Sequence, residues 1–168
     1  MMSDLATATA RHTILATRLG QLTLVRRGDR LTGLYFPHHW YMPDRATFGP
    51  REDDGFAEAG RQLAGYLSGS RTSFDLPLAP DGTEFQLRVW DLISQIPYGQ
   101  TSTYGTLARQ LGGDVTAQEV GAAVGRNPLC VLIPCHRVIG STGKLTGYAG
   151  GLPRKRLLLD LERAAAWA

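Results

Sequence analysis

Cysteine is scarce in this 168-residue chain, which contains only Cys130 and Cys135. They form no CxxC pair, and no cysteine–histidine cluster has zinc-finger spacing. The adjacent pair His38-His39 lacks an evident third ligand, so we interpret it as part of a surface loop. Two cysteines this close, separated by what we predict to be a strand, do not form the framework of a disulfide-rich secreted domain. The pattern predicts free thiols in a reducing compartment, which we take to be the cytoplasm.

Long apolar runs and a strong charge imbalance are also missing. No hydrophobic stretch approaches the roughly 20 residues of a membrane-spanning helix, so we expect no membrane contact. The net charge is +3 and the isoelectric point is near 9.1. This mild basic excess is compatible with nucleic-acid binding but does not establish it.

The N-terminal half has the pattern of a small α+β module. Short strands with glycine-containing turns surround an irregular segment and one amphipathic helix, which carries Phe56 and Leu67 on one face. The predicted strands are His12–Thr17, Leu22–Val25, Leu31–Phe36 and Thr72–Leu76. The prolines and glycine of Pro77–Gly82 mark the best boundary, which predicts domains 1–82 and 83–168.

The C-terminal half is predicted to be mainly helical, with helices delimited by capping boxes, glycines and prolines. The predicted helices are Thr83 to Ile96, Thr103 to Leu111 and Thr116 to Arg126. The last two, joined by a tight glycine-containing turn, have the form of a helix-turn-helix, although many helical hairpins bind no nucleic acid. The third is rich in alanine and glycine. Such a slim helix fits a groove as narrow as the DNA minor groove, but tight internal packing explains it equally well.

Cys135 has the sequence surroundings of a nucleophile. The apolar run Leu129–Ile133 predicts a buried strand that leads into the sequence Pro-Cys-His-Arg. Basic neighbours lower the pKa of a thiol, and the thiolate is the reactive form. Cys130, inside the apolar run, has the surroundings of an inert buried thiol. Because adjacent side chains of an extended chain point opposite ways, His136 reaches Cys135 only through a turn or a water molecule.

The last helix is predicted to begin at Pro153, and its first turn carries the basic triplet Arg154–Arg156. Cations oppose the helix dipole there, so the triplet indicates either a nearby anion or a solvated basic turn. Glu162 is either exposed on this helix or reaches His136. Tyr148 lies in a glycine-rich stretch, where its ring could stack or its hydroxyl could donate a hydrogen bond.

An ordered set of motifs runs through the C-terminal half. Ile133–Val138 reads Ile-Pro-Cys-His-Arg-Val; Asn127-Pro128 precedes it, and Tyr148–Gly151 and Glu162 follow it. From Phe85 to the last of these, the chain resembles the O6-alkylguanine-DNA alkyltransferases in motifs and intervals. The N-terminal half resembles the family in length and strand content only. The resemblance implies an α+β protein with an N-terminal ribonuclease-H-like strand-rich domain and a C-terminal, mostly helical, winged helix-turn-helix domain.

The resemblance also implies a function and a set of site residues. The function is direct DNA repair by a monomer, in which the alkyl group of O6-alkylguanine in double-stranded DNA passes once to Cys135 without a cofactor. Acceptance of O4-alkylthymine is left open. The implied catalytic residues are Cys135, His136, Glu162 and Tyr148; the substrate-binding residues are Tyr104, Asn127, Val138 and Ala149; the DNA-binding residues are Thr116, Ala117, Gln118, Ala122 and Arg126.

Within that set the resemblance assigns separate tasks. Glu162 orients His136, which removes the thiol proton through water, and Tyr148 hydrogen-bonds a guanine ring nitrogen so that the base leaves neutral. Tyr104 presses on the phosphate of the flipped nucleotide. Asn127 braces the link between the recognition helix and the active-site loop. Backbone groups around Cys135, Val138 and Ala149 read the base.

The chain departs from the family pattern at two places. Gln118 stands where the family usually carries an arginine that fills the space left by the flipped base. The cysteine and histidine set that binds zinc in some members is absent, so we predict no metal. Three alternatives stay open: a non-catalytic protein that recognises alkylated bases, a Cys–His–Glu hydrolase, and a dimeric helix-turn-helix regulator.

Overall fold

The N-terminal half is built on a three-stranded antiparallel meander. The computed structural model of the protein describes residues 9–143 and 145–167, so the outer limits of the two predicted domains, residues 1 and 168, lie outside the described residues. The strands are β1 (Ala10–Thr17), β2 (Gly20–Arg27) and β3 (Arg30–Tyr35), in the order β1-β2-β3. Two-residue turns join them, and Gly28 supplies the left-handed conformation (φ 58°) of the second turn.

Five α-helices are described. They are α1 (Ala57–Leu67), α2 (Glu84–Ser94), α3 (Tyr104–Leu111), α4 (Ala117–Gly125) and α5 (Leu152–Trp167). Threonine side chains accept hydrogen bonds from backbone N–H groups at the starts of α2, α3 and α4, with full capping boxes at α2 and α4 as predicted. The short strands β4 (Ser102–Thr103) and β5 (Val138–Ile139) pair in parallel, and 3-10 helices cover Arg45–Phe48 and Cys135–Arg137.

Helices α3 and α4 form the predicted helix-turn-helix and pack against α2. The indole N–H of Trp90 in α2 donates to the carbonyl of Ala123 in α4 at 2.9 Å. Val120 and Val124 bury one face of α4, as their spacing predicted. The opposite face of α4 is exposed and carries Ala117, Gln118 and Ala122. It is narrow, apart from the glutamine side chain, because the two alanine side chains are small. The helix therefore presents a slim surface beside the segment that carries Cys135.

Strand β3 holds the segment that leads into Cys135 against the N-terminal sheet. The backbone N–H of Leu34 donates to the carbonyl of Pro128 at 2.8 Å, and one continuous hydrophobic core joins the two halves. The strand predicted for Leu129–Ile133 is wrong, although its burial is confirmed. The segment turns back on itself: Ile133 N–H bonds to Leu129 at 2.8 Å, and Val131 has a left-handed backbone (φ 73°). Because the chain turns here, the side chains of Cys130 and Cys135, five residues apart in sequence, come close together.

Of two further predictions for the N-terminal half, one is wrong and the other is wrong for one of its two residues. Residues 72–76 form no strand, because the amide side chain of Gln62 in α1 accepts the N–H of Asp75 at 2.8 Å in place of a neighbouring strand. The surface loop predicted at His38-His39 is confirmed for His38, which is exposed in a turn, but His39 is buried, and its Nδ1 accepts the N–H of Phe36 at 3.2 Å. No helix in the described ranges is long and apolar enough to cross a membrane.

Candidate active site

Cys135 lies on the wall of a pocket between the helix-turn-helix and the loop before α5. The pocket has a volume of about 420 Å³. Its lining residues are Trp40, Tyr104, Ala117, Gln118, Gly121, Val124, Gly125, Cys135, Thr146, Gly147, Tyr148 and Ala149. The 3-10 helix after Pro134 turns the backbone at the cysteine, which is 3% exposed. A small group that enters the pocket can therefore reach Sγ, whereas bulk solvent is largely excluded.

The same turn directs His136 away from the pocket and into the core. Its Nε2 lies 2.7 Å from Oε2 of Glu162 in α5, so the second of the two arrangements left open for Glu162 is the observed one. Nδ1 is buried and has no hydrogen-bond partner among the described residues. A buried nitrogen without a hydrogen-bond partner destabilises the folded state, so its presence indicates a position that binds a water molecule or takes up a proton during a reaction.

Glu162 accepts hydrogen bonds from three separate parts of the chain. Arg137 donates from Nε and Nη2, each at 2.9 Å, and the N–H of Gly99 donates at 3.3 Å. The hydroxyl of Tyr66, which comes from α1 in the N-terminal half, donates to Oε2. Together with His136 these groups fix the carboxylate in one orientation. A bidentate arginine and several hydrogen bonds are what a buried carboxylate needs to stay ionised.

The ionisation states of His136 and Glu162 follow from their surroundings. Burial by itself would raise the pKa of Glu162, but hydrogen bonds from His136 and Arg137 outweigh it and lower the pKa to about 2. Burial lowers the pKa of His136, and the opposing effect of Glu162 is smaller. At neutral pH the imidazole is therefore uncharged, donates from Nε2 to the carboxylate and leaves Nδ1 free to accept a proton.

The pKa of Cys135 is lowered, as its basic neighbours led us to expect, but the cause differs. The largest contribution is a hydrogen bond with the thiol of Cys130, whose Sγ lies 3.8 Å away. Burial opposes the shift, and the ammonium group of Lys155 assists it. The guanidinium of Arg137, which follows in sequence, is committed to Glu162 instead.

Two tyrosines complete the pocket. The hydroxyl of Tyr148 is buried and has no hydrogen-bond partner in the part of the chain that the structure describes. Burial raises the pKa of Tyr148 well above its usual value, so the hydroxyl stays protonated and able to donate. Tyr104, the first residue of α3, bonds through its hydroxyl to Oγ1 of Thr146 at 2.8 Å. Both side chains lie where a planar ligand in the pocket would contact them.

The predicted DNA-binding residues lie on one exposed side of the helix-turn-helix. Thr116 caps α4, while Ala117 and Gln118 line the pocket at its first turn. Ala122 is exposed one turn further on, and the guanidinium of Arg126 lies 4.0 Å from the ring centre of Tyr41. Gln118 is therefore at the pocket rim, where its side chain can reach a molecule that enters.

The predicted substrate-binding residues do not all reach the pocket. Asn127 lies outside the lining and joins the segment around it, donating to Ile133 O and accepting from Leu129 N, each at 2.9 Å. Val138 is also outside the lining, and its carbonyl accepts Lys155 Nζ at 2.7 Å. Ala149 lines the pocket. Asn127 thus has the bracing contacts predicted for it, whereas the backbone of Val138 is turned to other partners.

Sequence reasoning missed three residues of the site. Trp40 comes from the N-terminal half, lines the pocket, and packs so closely on Gly147 that a Cβ there would lie 2.5 Å from the indole. Tyr66 supports Glu162, as described above. Lys155 is fully buried, with Nζ bonded to the carbonyls of Val138 and Thr146. No local pattern marks Trp40 or Tyr66, because their contacts depend on how the two halves pack.

The basic triplet at the start of α5 did contain a signal for Lys155. Neither expectation, an anion or a solvated turn, describes its first two members. Arg154 donates to the carbonyls of Leu19 and Gly150 at 2.6 and 2.9 Å, and Lys155 donates to carbonyls as well. Only Arg156 is exposed. Among the described residues, no group of three or more His, Cys, Asp or Glu side chains is arranged to hold a metal ion.

The fold and the site define a class of protein. It has a strand-rich domain joined to a helix-turn-helix, and the second helix of that motif borders a pocket lined by a thiol. The residue after the thiol is a histidine that pairs with a glutamate. Two family models match the chain. Residues 84–164 match the DNA-binding domain of 6-O-methylguanine DNA methyltransferase, and residues 10–80 match its ribonuclease-like domain. The chain belongs to the 6-O-methylguanine DNA methyltransferase family, and its α+β fold is the one that the resemblance implied.

Relatives support this assignment along most of the chain. The methylated-DNA–protein-cysteine methyltransferases of Mycobacterium bovis and Mycobacterium tuberculosis are 47% identical over 148 residues, 88% of this chain and 89% of theirs. That of Methanosarcina acetivorans is 53% identical over 110 residues, 66% of this chain and 70% of its own. A crystal structure of Mycobacterium tuberculosis OGT in complex with DNA superposes with a TM-score of 0.87 at 45% identity, covering 92% of this chain and 94% of that chain.

Proposed function

We propose that this protein repairs DNA directly, by transferring the alkyl group of O6-alkylguanine to Sγ of its own Cys135. The observation that carries the proposal is the position of this thiol: it lines a pocket beside α4, and the residue that follows it in the chain, His136, pairs with Glu162. A sulfur nucleophile suits attack on a saturated carbon, and the hydrogen bond with the second thiol and the nearby ammonium group of Lys155 favour its ionised form.

Binding would begin on the helix-turn-helix, with the narrow exposed face of α4 in the minor groove of double-stranded DNA. The damaged nucleotide then leaves the stack and enters the pocket beside Gln118. Tyr104 and Trp40 both line the pocket and offer aromatic surface to the base and its backbone. Neither the groove contact nor base flipping requires a metal or a cofactor.

The chemical step is a displacement at the alkyl carbon. His136 accepts the thiol proton at Nδ1 through a water molecule while Glu162 holds Nε2–H, and the thiolate attacks. A carbon–sulfur bond forms and the carbon–oxygen bond to O6 breaks, with its electron pair moving into the guanine ring. The hydroxyl of Tyr148 hydrogen-bonds the ring nitrogen that gains charge and passes its proton to it, so guanine leaves as the neutral base, and the proton that His136 took from the thiol returns through water to restore the hydroxyl. The thioether on Cys135 does not hydrolyse readily, so each molecule acts once.

Two alternatives are less consistent with the site. A protein that only recognised alkylated bases would not need the five hydrogen bonds that fix Glu162 against His136, the residue next to a reactive cysteine. In a Cys–His–Glu hydrolase the imidazole contacts the thiol directly, whereas here His136 turns toward the core. We further propose that the protein acts as a monomer in the cytoplasm, since a monomer already contains the whole pocket.

The test is an intact-mass measurement after mixing purified protein with duplex DNA that contains one O6-methylguanine. We expect a single methyl adduct on Cys135, its absence in Cys135→Ala, and its retention on Cys135 in Cys130→Ala. Tight binding to the lesion without an adduct would make the protein a damage sensor. An unmodified protein with no preference for the lesion would refute the proposal.

A further inference from the structure

The thiol of Cys130 lowers the pKa of Cys135 but forms and breaks no bond in the mechanism above, yet it is the nearest side chain to the nucleophile that can react with it. Its Sγ lies 3.8 Å from that of Cys135, and both residues are buried. The turn at Leu129–Ile133, with its left-handed Val131, creates this pairing, since an extended strand would have carried the two side chains apart.

The two thiols differ in access. Cys135 lines the pocket, whereas Cys130 lies behind it, 0% exposed, with its Sγ 3.9 Å from Nε2 of His39 and 3.7 Å from the carbonyl of Asn127. A small oxidant that enters the pocket therefore meets Cys135 first. Any oxidised form of that sulfur is then within reach of one internal thiol, and only small molecules that fit the pocket can reach it from outside.

We propose that Cys130 is a resolving cysteine, and that hydroperoxides convert the pair into a reversible Cys130–Cys135 disulfide that holds the protein inactive. The inference rests on the proposed function only for its consequence, the loss of alkyl transfer. The formation of the bond depends on the geometry of the two thiols alone. To form it the sulfur atoms approach from 3.8 Å to about 2.05 Å.

The chemistry balances in two steps. The thiolate of Cys135 attacks hydrogen peroxide, the O–O bond breaks, and the products are a sulfenic acid and hydroxide. The thiol of Cys130 then attacks the sulfenic sulfur, the S–O bond breaks, and the second oxygen leaves as water. Two thiols are oxidised, one peroxide is reduced to two molecules of water, and a dithiol reverses the reaction.

The ionisation of the pair supports this order of events. The hydrogen bond between the thiols, followed by burial, raises the pKa of Cys130 well above its usual value, while that hydrogen bond lowers the pKa of Cys135. The thiol that faces the pocket is therefore the first to ionise and to meet peroxide. A resolving thiol also protects the nucleophile, because a sulfenic acid that finds no thiol proceeds to sulfinic acid, which dithiols do not reduce.

The experiment treats the full-length protein with a small excess of hydrogen peroxide and follows intact mass under non-reducing conditions. Both cysteines lie in one tryptic peptide, residues 127–137, so the disulfide lowers the mass of that peptide by two hydrogens. We expect this loss, no labelling by iodoacetamide, no transfer from O6-methylguanine DNA, and full recovery of labelling and transfer after dithiothreitol.

Cys130→Ala is the matched control, and Cys130→Ser serves if the alanine variant unfolds. In both, Cys135 should gain two or three oxygen atoms, as sulfinic or sulfonic acid, and fail to recover with dithiothreitol, which does not reduce these forms. Oxygen gain in the wild-type peptide without loss of two hydrogens, or equal recovery of wild type and variant, would overturn the inference. If the disulfide forms but the reduced protein never takes up an alkyl group, the proposed function fails and the resolving role stands.

Discussion

The hydroxyl of Tyr66 links the N-terminal half to Glu162, and Tyr66→Phe removes it without changing the ring. The ring keeps its packing against Phe74 and Tyr98, so the variant isolates one hydrogen bond to a charged, buried group. Such a bond contributes about 1.5–3 kcal/mol to the free energy of unfolding. A loss of about 2 kcal/mol lowers the Tm of a protein of this size by about 4–8 °C. Thermal unfolding at pH 7 measures the effect directly.

Tyr98→Phe is the matched control. Its ring lies edge-on to that of Tyr66, and its hydroxyl is buried without a hydrogen-bond partner among the described residues. Removal of this hydroxyl therefore costs no hydrogen bond, and we expect a Tm equal to or above that of the wild type. Equal destabilisation by the two variants would refute the reasoning, because it would mean that the loss comes from ring packing and not from the bond to Glu162. We also expect slower alkyl transfer in Tyr66→Phe, because Glu162 loses one of the groups that orient it.

Three further predictions concern charge and binding. Lys155→Met removes the ammonium group that helps lower the pKa of Cys135. In this variant the rate at which Cys135 reacts with iodoacetamide should therefore rise at higher pH than in the wild type. Arg156→Met, at the exposed neighbouring position, should leave the pH dependence of that rate unchanged. Burial and, to a lesser degree, Arg154 lower the pKa of His39 to about 4. Since the unfolded chain binds a proton near pH 6.5 and the folded chain does not, stability should fall as pH drops from 6.5 to 4, and urea titrations of His39→Gln should show a shallower fall. Gln118→Arg should raise the transfer rate on duplex DNA more than on the free base, and an equal effect on both would show that position 118 does not act on the flipped nucleotide.

The sequence predicted much of the C-terminal half because its helix boundaries are local. The capping boxes of Thr83 and Thr116 and the Asn127-Pro128 stop depend on residues a few positions apart, and the structure has all of them. The apolar run at Leu129–Ile133 correctly predicted burial. It gave the wrong conformation, because a buried strand and a buried turn have the same composition.

The surroundings of the candidate site were less accessible to prediction. The spacing of Glu162 and His136 allowed a contact but did not require one, because the distance between them depends on how α5 packs. Lys155 looked like a surface cation, since the carbonyls that bind it come from distant segments. Tyr66 and Trp40 belong to the half of the chain whose resemblance to the family was weakest. Their roles arise only when the two halves form one core.

The donors around Glu162 have a consequence for how much repair a cell obtains from each synthesised chain. A catalyst that turns over can tolerate a minority of misassembled copies, but a protein proposed to act once supplies exactly as many repairs as it has competent molecules. The carboxylate needs contributions from α1, from the loop at Gly99, from the turn at Arg137 and from α5 together. A truncated or partly folded chain therefore lacks this set of hydrogen bonds to Glu162, and the number of lesions that can be repaired is set by the number of chains that fold completely.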